Sequence, residues 1–219
     1  VSPLLGGSGD SAPLTAYGGY LGMKAAIQHT EGHNSLEGKR IMVQGVGKVG
    51  SKLVKYLLEE GAEVYISDVN KEQESKLVKL YGIKAVKEEQ VLNMDVDILS
   101  PNAMGGILNQ ESIPFLNCKI ILGGANNQLL EEEVDARRVQ EKGILFVPDF
   151  MVNAGGIINV SLELQSYHED IAKRMTEKIY DTTLRVLSKA DKDGVVPLEA
   201  AKREAEKRLE EVGKIGLYR

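Results

Sequence analysis

The chain has 219 residues, enough to bury a sizeable core as one large domain or as one domain with a helical appendage. Its 42% hydrophobic and 27% charged content is ordinary for a globular protein, and its net charge of −5 argues against a nucleic-acid partner. No apolar run approaches the roughly 18 residues of a membrane helix, so no membrane partner is expected. One cysteine, Cys118, excludes an internal disulfide and suits a reducing, cytoplasmic setting. The opening residues, from Val1 to Asp10, contain no methionine and read as a cut, processed or trimmed end.

Along the chain, Asp10 or Ser11 can cap a helix that begins near Pro13 and runs to about His29. Leu14, Tyr17, Leu21 and Ala25 fall on one face of it. A polar linker from Glu31 to Lys39 leads to a strand at 40–45, then a helix at 48–60, a strand at 63–67, a helix at 71–81 and a short strand near 83–86. A strand at 96–99 ends in Ser100-Pro101-Asn102. After a short helix, a strand at 119–122 ends in Gly123-Gly124-Ala125-Asn126-Asn127. A helix at 130–142 and a strand at 144–147, stopped by Pro148, complete the alternation. From about residue 151 the pattern is helical, over 154–168, 169–190 and from Pro197 to about Val212. Leu198, Ala201, Ala205, Leu209 and Val212 make an apolar stripe on the last helix that needs a partner surface. Short buried-looking strands alternating with helices predict an α/β protein. Its expected form is a Rossmann-type doubly wound, mostly parallel sheet with helices on both faces and extra C-terminal helices. Residues 1–30 read as a leading segment and helix joined to a core at 31–165, with C-terminal helices at 166–219.

The chemistry concentrates at 43–50, Val-Gln-Gly-Val-Gly-Lys-Val-Gly, where Gly45, Gly47 and Gly50 fit the spacing GxGxxG between a strand and a helix. Gly45 permits a tight turn, Gly47 leaves room for a pyrophosphate, and Gly50 lets helix and strand pack closely. Val46, Lys48 and Val49 complete a phosphate loop at the positive end of the following helix, with Lys48 facing solvent or phosphate. Asp68, eighteen positions after Gly50, ends the next strand where its carboxylate can accept from ribose hydroxyls. A 2′-phosphate there would meet a like charge, so the cofactor read from these residues is NAD rather than NADP. Five strand ends are polar or glycine-rich: Gly45-Val46-Gly47, Asp68-Val69-Asn70, Ser100-Pro101-Asn102, Ala125-Asn126-Asn127 and Pro148-Asp149. Any one could be a simple turn, but five at the carboxyl ends of parallel strands should line one cleft.

Several longer segments point to a family. They are 7–18 (Gly-Ser-Gly-Asp-Ser-Ala-Pro-Leu-Thr-Ala-Tyr-Gly), 35–39, 43–47, 125–129 and 148–160, the last running from Pro-Asp-Phe-Met-Val-Asn through Ala-Gly-Gly-Ile-Ile-Asn-Val. In this order they resemble the Glu/Leu/Phe/Val dehydrogenases, over about residues 7–160, and most of all the NAD-binding domain of leucine dehydrogenase. The resemblance implies NAD-dependent oxidative deamination of a branched-chain L-amino acid to its 2-oxo acid. It places Thr15 and Asn126 on the nicotinamide side, and Ser100, Pro101 and Asn102 beside the cofactor ribose. Asn127 would meet the reacting substrate, and Asn153 would sit near the carboxamide or the substrate carboxylate. Ile157 and Val160 would wall the side-chain pocket, or else be core residues of their helix. The family's pattern has Pro at Ser11, Asn at Lys48 and Asp at Asn126, and the last departure removes a carboxylate near the nicotinamide end.

The family's other domain, amino-terminal, carries a glycine-rich segment with a lysine and a second, catalytic lysine, and neither pattern occurs in these residues. No catalytic residue is therefore assigned, and the resemblance implies a cofactor half that is inactive alone. Its implied partners are the missing amino-terminal domain, an amino-acid substrate and a homo-oligomer. The alternative is a stand-alone NAD-binding or regulatory protein without catalysis. His29, His33 and His168 lack ligand spacing, so no metal site is expected. Cys118 reads as inert packing.

Overall fold

A computed structural model describes residues 7–165 and 167–216. The expectations for 1–6, for Ser166 within the helix expected at 154–168, and for 217–219 lie outside the described residues. Six strands form one sheet: β1 Arg40–Gln44, β2 Glu63–Ser67, β3 Lys84–Ala85, β4 Val96–Pro101, β5 Cys118–Ile121 and β6 Leu145–Phe146. All pairs are parallel and the order is β3-β2-β1-β4-β5-β6. This is the doubly wound order, with its switch point between β1 and β4.

Alternation along the strands fills both faces of the sheet. Ile41, Val43, Ile98 and Ile120 join one buried cluster, while Met42, Leu99 and Ile121 join another. Each full burial of such a side chain is worth about 1.5–3 kcal/mol, which makes the two-sided sheet the main favourable term. The first cluster is covered by α1 (Ala12–Glu31), α2 (Lys48–Glu59) and α7 (Glu169–Asp193); α3 (Lys71–Tyr81) adds Leu77 to it. The second is closed by α4 (Glu132–Glu141), by the 3-10 turn Ile113–Phe115 and by the start of α8 (Pro197–Gly216). Two short helices, α5 Asp149–Val152 and α6 Gly155–Ser161, follow β6.

Several boundaries differ from the sequence expectation. The strand expected at 96–99 continues through Ser100 and Pro101, because Pro101 pairs with Gln44 at the end of β1, where no ladder N–H is needed from it. The helix expected at 130–142 starts at Glu132, since Leu129 and Leu130 are held in an extended bridge to Leu108. The helix expected at 154–168 is broken, with α6 passing into a 3-10 turn at Leu162–Gln165. The apolar stripe of α8 divides: Leu198 and Ala201 are buried, whereas Ala205, Leu209 and Val212 are exposed.

The buried face of α1 also differs from the expected Leu14, Tyr17, Leu21 and Ala25 stripe. Leu14, Tyr17 and Leu21 are half-buried, and the buried residues are Ala12, Ala16, Gly18, Gly19, Gly22, Met23, Ala25, Ala26 and Ile27. The cause is close packing against α5 and α7. A Cβ on Gly18 would lie 2.5 Å from the Val152 carbonyl oxygen and 2.7 Å from Ile179 Cδ1, and one on Gly22 would lie 2.5 Å from Val152 Cγ1. The helix is capped by Asp10, whose Oδ1 accepts the Ala12 N–H at 3.0 Å, rather than by the Ser11 side chain.

Neighbouring glycines on α1 therefore separate packing from helix propensity. Gly18→Ala should cost about 1–3 kcal/mol through overpacking. Gly19→Ala, whose Cβ would meet nothing within 4 Å, should be neutral or gain up to about 1 kcal/mol. Urea unfolding of the two variants measures the difference, and equal stabilities would contradict the packing of α1 on α7.

Candidate functional site

The carboxyl ends of the strands meet through backbone contacts that only glycine allows. Gly45 leaves β1 at φ 89°, and a Cβ there would lie 2.7 Å from Ala103 Cβ in the loop after β4. A Cβ on Gly50 would lie 1.9 Å from the Gly45 carbonyl oxygen, so α2 is seated directly on the first turn. Gly47 has an ordinary φ of −67° and open space where its Cβ would be. The turn, the close approach and the open position expected of the three glycines are all present. Lys48 is exposed at the first position of α2, Val46 is buried, and Val49 is half-buried with Cγ1 close to Gly124.

Asp68 stands at the tip of β2, partly exposed. Its Oδ2 accepts the Val46 N–H at 2.6 Å and its Oδ1 accepts the Asn70 N–H at 2.7 Å. Val69 beside it is 80% exposed and projects away from the core. The first turn of α3 supports this corner. Glu74 accepts the Asp68 N–H at 2.9 Å, and Gln73 donates its amide to the Val46 carbonyl at 3.3 Å. Sequence reasoning missed Gln73 and Glu74; the spacing Asn70-x-x-Gln73, a helix-capping pattern, was the available signal.

The remaining loops are joined by short amides. Asn102 Nδ2 donates to the Ser100 carbonyl and hydroxyl, each at 2.9 Å, while its Oδ1 accepts the Gly124 N–H at 2.9 Å. The Pro101 carbonyl accepts the Ala125 N–H at 3.1 Å. Asn153 Nδ2 donates to Asn126 Oδ1 at 2.6 Å. Thr15 enters from α1, with its hydroxyl bonded to the Ser11 carbonyl and 2.7 Å from where a Gly156 Cβ would lie. Asn127 is the non-glycine residue with positive φ among those described, at 54°. The Asp149 carboxylate accepts its N–H, and its own carbonyl accepts the Gly106 N–H at 2.7 Å. A strained backbone conformation held from two sides is a mark of functional loops. Ile157 and Val160 are 74% and 52% exposed on α6, so they are not core residues of that helix.

The structure thus brings the loops after β1, β2, β4, β5 and β6 to one edge of the sheet, with Thr15 and α6 beside them. His29 pairs with Asp191 and His33 with Glu31, each at 3.1 Å, and no group of three metal-ligating side chains occurs among the described residues. Burial pushes the Cys118 thiol up to about 12, which makes it an unreactive thiol. Among the described residues, no helix is long and apolar enough to cross a membrane.

The glutamate/leucine/phenylalanine/valine dehydrogenase family model matches residues 6–71 and 65–214. The chain belongs to that family. The leucine dehydrogenase of Thermoactinomyces intermedius is 45% identical over 210 residues, which cover 96% of this chain and 57% of that enzyme. The valine dehydrogenase of Streptomyces albus is 44% identical over 213 residues, 96% of this chain and 58% of that enzyme. The crystal structure of L-tryptophan dehydrogenase from Nostoc punctiforme superposes with a TM-score of 0.89 at 40% identity, over 91% of this chain and 61% of that one. A hetero-hexameric glutamate dehydrogenase from Thermus thermophilus shares the fold at 20% identity, with a TM-score of 0.74. The chain therefore spans about 57% of the length of the leucine dehydrogenase it matches.

Burial raises the Asp149 carboxyl pKa above its usual range, against the lowering effect of the Asn127, Phe150 and Asp149 N–H groups. An acid with a raised folded pKa makes stability fall as pH climbs from the unfolded value, about 4, through the folded one. Asp149→Asn, which keeps an acceptor for the Asn127 N–H, should therefore gain stability relative to the parent as pH climbs from about 4 through the raised folded value. Paired urea melts across this window check it. A constant difference would show that Asp149 does not carry the titration.

Proposed function

We propose that these residues form the NAD-binding part of an amino-acid dehydrogenase that acts on aliphatic L-amino acids. The observation that carries this reading is the corner at β1 and β2. An open Gly47 stands at the start of α2, and the Asp68 carboxylate is fixed at the neighbouring strand tip. The first N–H groups of α2 have no acceptor within the helix, and their dipole favours a pyrophosphate beside Gly47, Lys48 and Val49. Each Asp68 oxygen holds one backbone N–H and keeps a free lone pair, which suits the hydroxyls of an adenosine ribose. Ser100, Pro101 and Asn102 border the middle of the cofactor. Thr15, Ala125, Asn126 and Asn153 border its nicotinamide end.

Beyond that end lie Asn127 and the exposed aliphatic pair Ile157 and Val160, which favour a branched apolar side chain over a charged one. Deamination further needs a lysine of lowered pKa to activate water or amine, and a cation for the substrate carboxylate. The lysines among the described residues whose pKa values are displaced, Lys119 and Lys202, move upward through their hydrogen bonds to Asp97 and Glu132. The 219 residues therefore hold cofactor and part of the substrate, and the proton chemistry belongs to an amino-terminal domain of the family's kind.

Calorimetric titration should show NADH binding with discrimination against NADPH, and Asp68→Ala should weaken NADH by about 1–3 kcal/mol. Gly47→Val should stay folded, because its Cβ meets open space, yet lose the cofactor through the volume its side chain takes. Equal affinity for NADPH, or normal binding by Gly47→Val, would contradict the assignment.

The residues alone should show no oxidative deamination of leucine, valine, phenylalanine or glutamate, since the lysines with displaced pKa values among the described residues, Lys119 and Lys202, are shifted upward. Supplying the family's amino-terminal domain, fused or in trans, should restore turnover with aliphatic amino acids preferred. A coupled NADH absorbance assay decides this, and robust turnover by the 219 residues alone would overturn the division of labour.

A further inference from the structure

We infer that Gln73, on the first turn of α3, is a positioning residue that aims the Gly47 N–H into the cofactor cleft; this rests on the NAD-binding reading above. Val46 is gripped on both sides. Its N–H goes to Asp68 Oδ2 at 2.6 Å, and its carbonyl accepts from Gln73 Nε2 at 3.3 Å. Two consecutive peptide planes of the glycine loop are thereby fixed from the β2–α3 corner. The carbonyl of Val46 and the N–H of Gly47 belong to one planar trans peptide and point in opposite directions. Drawing the carbonyl towards α3 therefore turns the Gly47 N–H away from α3.

Gln73 is free to do this because of a departure from the usual helix start. In a capping box, the third residue's side chain returns to the N–H of the cap residue. Here the Asn70 side chain accepts the Gln73 N–H at 3.1 Å, but the Asn70 N–H is already held by Asp68 Oδ1 at 2.7 Å. The Gln73 amide, left without that role, crosses to the loop. Glu74 completes the brace by accepting the Asp68 N–H, with Lys71 Nζ 3.0 Å from the same oxygen. Asp68, Gln73 and Glu74 thus act together, and Gln73 acts through the loop peptide it touches. Without its amide, the Val46–Gly47 peptide can rotate, and the N–H that meets the pyrophosphate is no longer preset.

The test compares Gln73→Leu and Gln73→Met with the parent chain, using NADH, ADP and adenosine as probes. NADH is followed by fluorescence, and ADP and adenosine by NMR titration. NADH and ADP carry the pyrophosphate, whereas adenosine lacks it. Both variants should bind NADH and ADP about five- to tenfold more weakly, the scale of one neutral hydrogen bond, with adenosine changed less than about twofold. Equal losses for all three probes would mean that α3 and Asp68 have merely shifted, which overturns the inference. Unchanged NADH and ADP affinities in both variants overturn it as well. A parent chain that binds neither NADH nor ADP would instead refute the cofactor reading on which it stands.

Discussion

Backbone-to-backbone contact at the carboxyl edge of the sheet is the constraint on which the site depends. A Cβ on Gly50 would lie 1.9 Å from the Gly45 carbonyl, one on Gly123 2.0 Å from the Pro101 carbonyl, and one on Gly155 2.1 Å from the Leu14 carbonyl. No side chain can stand between these pairs, so each substitution must move backbone. Hydrophobic burial holds the sheet and helices together without fixing direction. The three glycine contacts supply that direction. The first seats α2 on the turn after β1, the second joins the ends of β4 and β5, and the third sets α6 against the start of α1. Loops distant in sequence consequently reach one edge at a separation too small for side chains to fill.

The two ends of the sheet carry different kinds of polar contact. At the amino end, ion pairs tie strands and linkers: Lys119 to Asp97 at 2.8 Å, Arg40 to Asp95 at 3.0 Å, and Lys39 to Glu31. Asp97 also accepts the Arg40 N–H at 2.9 Å, and its pKa is lowered by Lys119 and by that N–H despite the opposing effect of burial. At the carboxyl end, the neutral amides of Asn102, Asn126, Asn153 and Gln73 share the joining with carboxylates that accept backbone N–H groups, Asp68 from Val46 and Asp149 from Asn127. Amides satisfy backbone groups without adding net charge, so at the start of α2 the joining contact from Gln73 leaves the partial positive charge of the helix in place. The carboxylate of Asp68 stands at the tip of β2, where it holds the Val46 and Asn70 N–H groups.

Much of this was legible in the sequence, for identifiable reasons. The strands were readable because parallel strands buried on both faces appear as short continuous apolar runs, and Gly45, Gly47 and Gly50 because their spacing encodes a local turn. The buried face of α1 was not readable from large residues, because it packs so closely that Gly18 and Gly22 mark the interface and Leu14 and Leu21 do not. Their four-residue spacing was the cue. The extension of β4 through Pro101 was hidden since proline ordinarily ends a strand, and here it sits where its carbonyl, not its missing N–H, is used. The roles of Gln73 and Asp149 are tertiary. A glutamine on a first helical turn and an aspartate after proline each have local explanations, and only the fold brings them to Val46 and Asn127.

The distribution of exposed apolar side chains follows from the same geometry. Both faces of the sheet are closed by helices, so the described core needs no further partner to bury Ile41, Met42, Ile98 or Leu99. Ile157 and Val160, by contrast, sit exposed on a helix whose first residue is pressed against α1 by backbone contact. A shift of Gly155 towards α1 would displace the Leu14 carbonyl, so the start of α6 is seated at this contact. Aliphatic side chains held in the open by a rigid backbone cost solvation unless something covers them in the working state. The neighbouring Gly156 lies against Thr15, so the apolar surface of α6 and Thr15 are joined through the same backbone approach. Whatever covers Ile157 and Val160 is thereby registered against the loops at the carboxyl edge of the sheet.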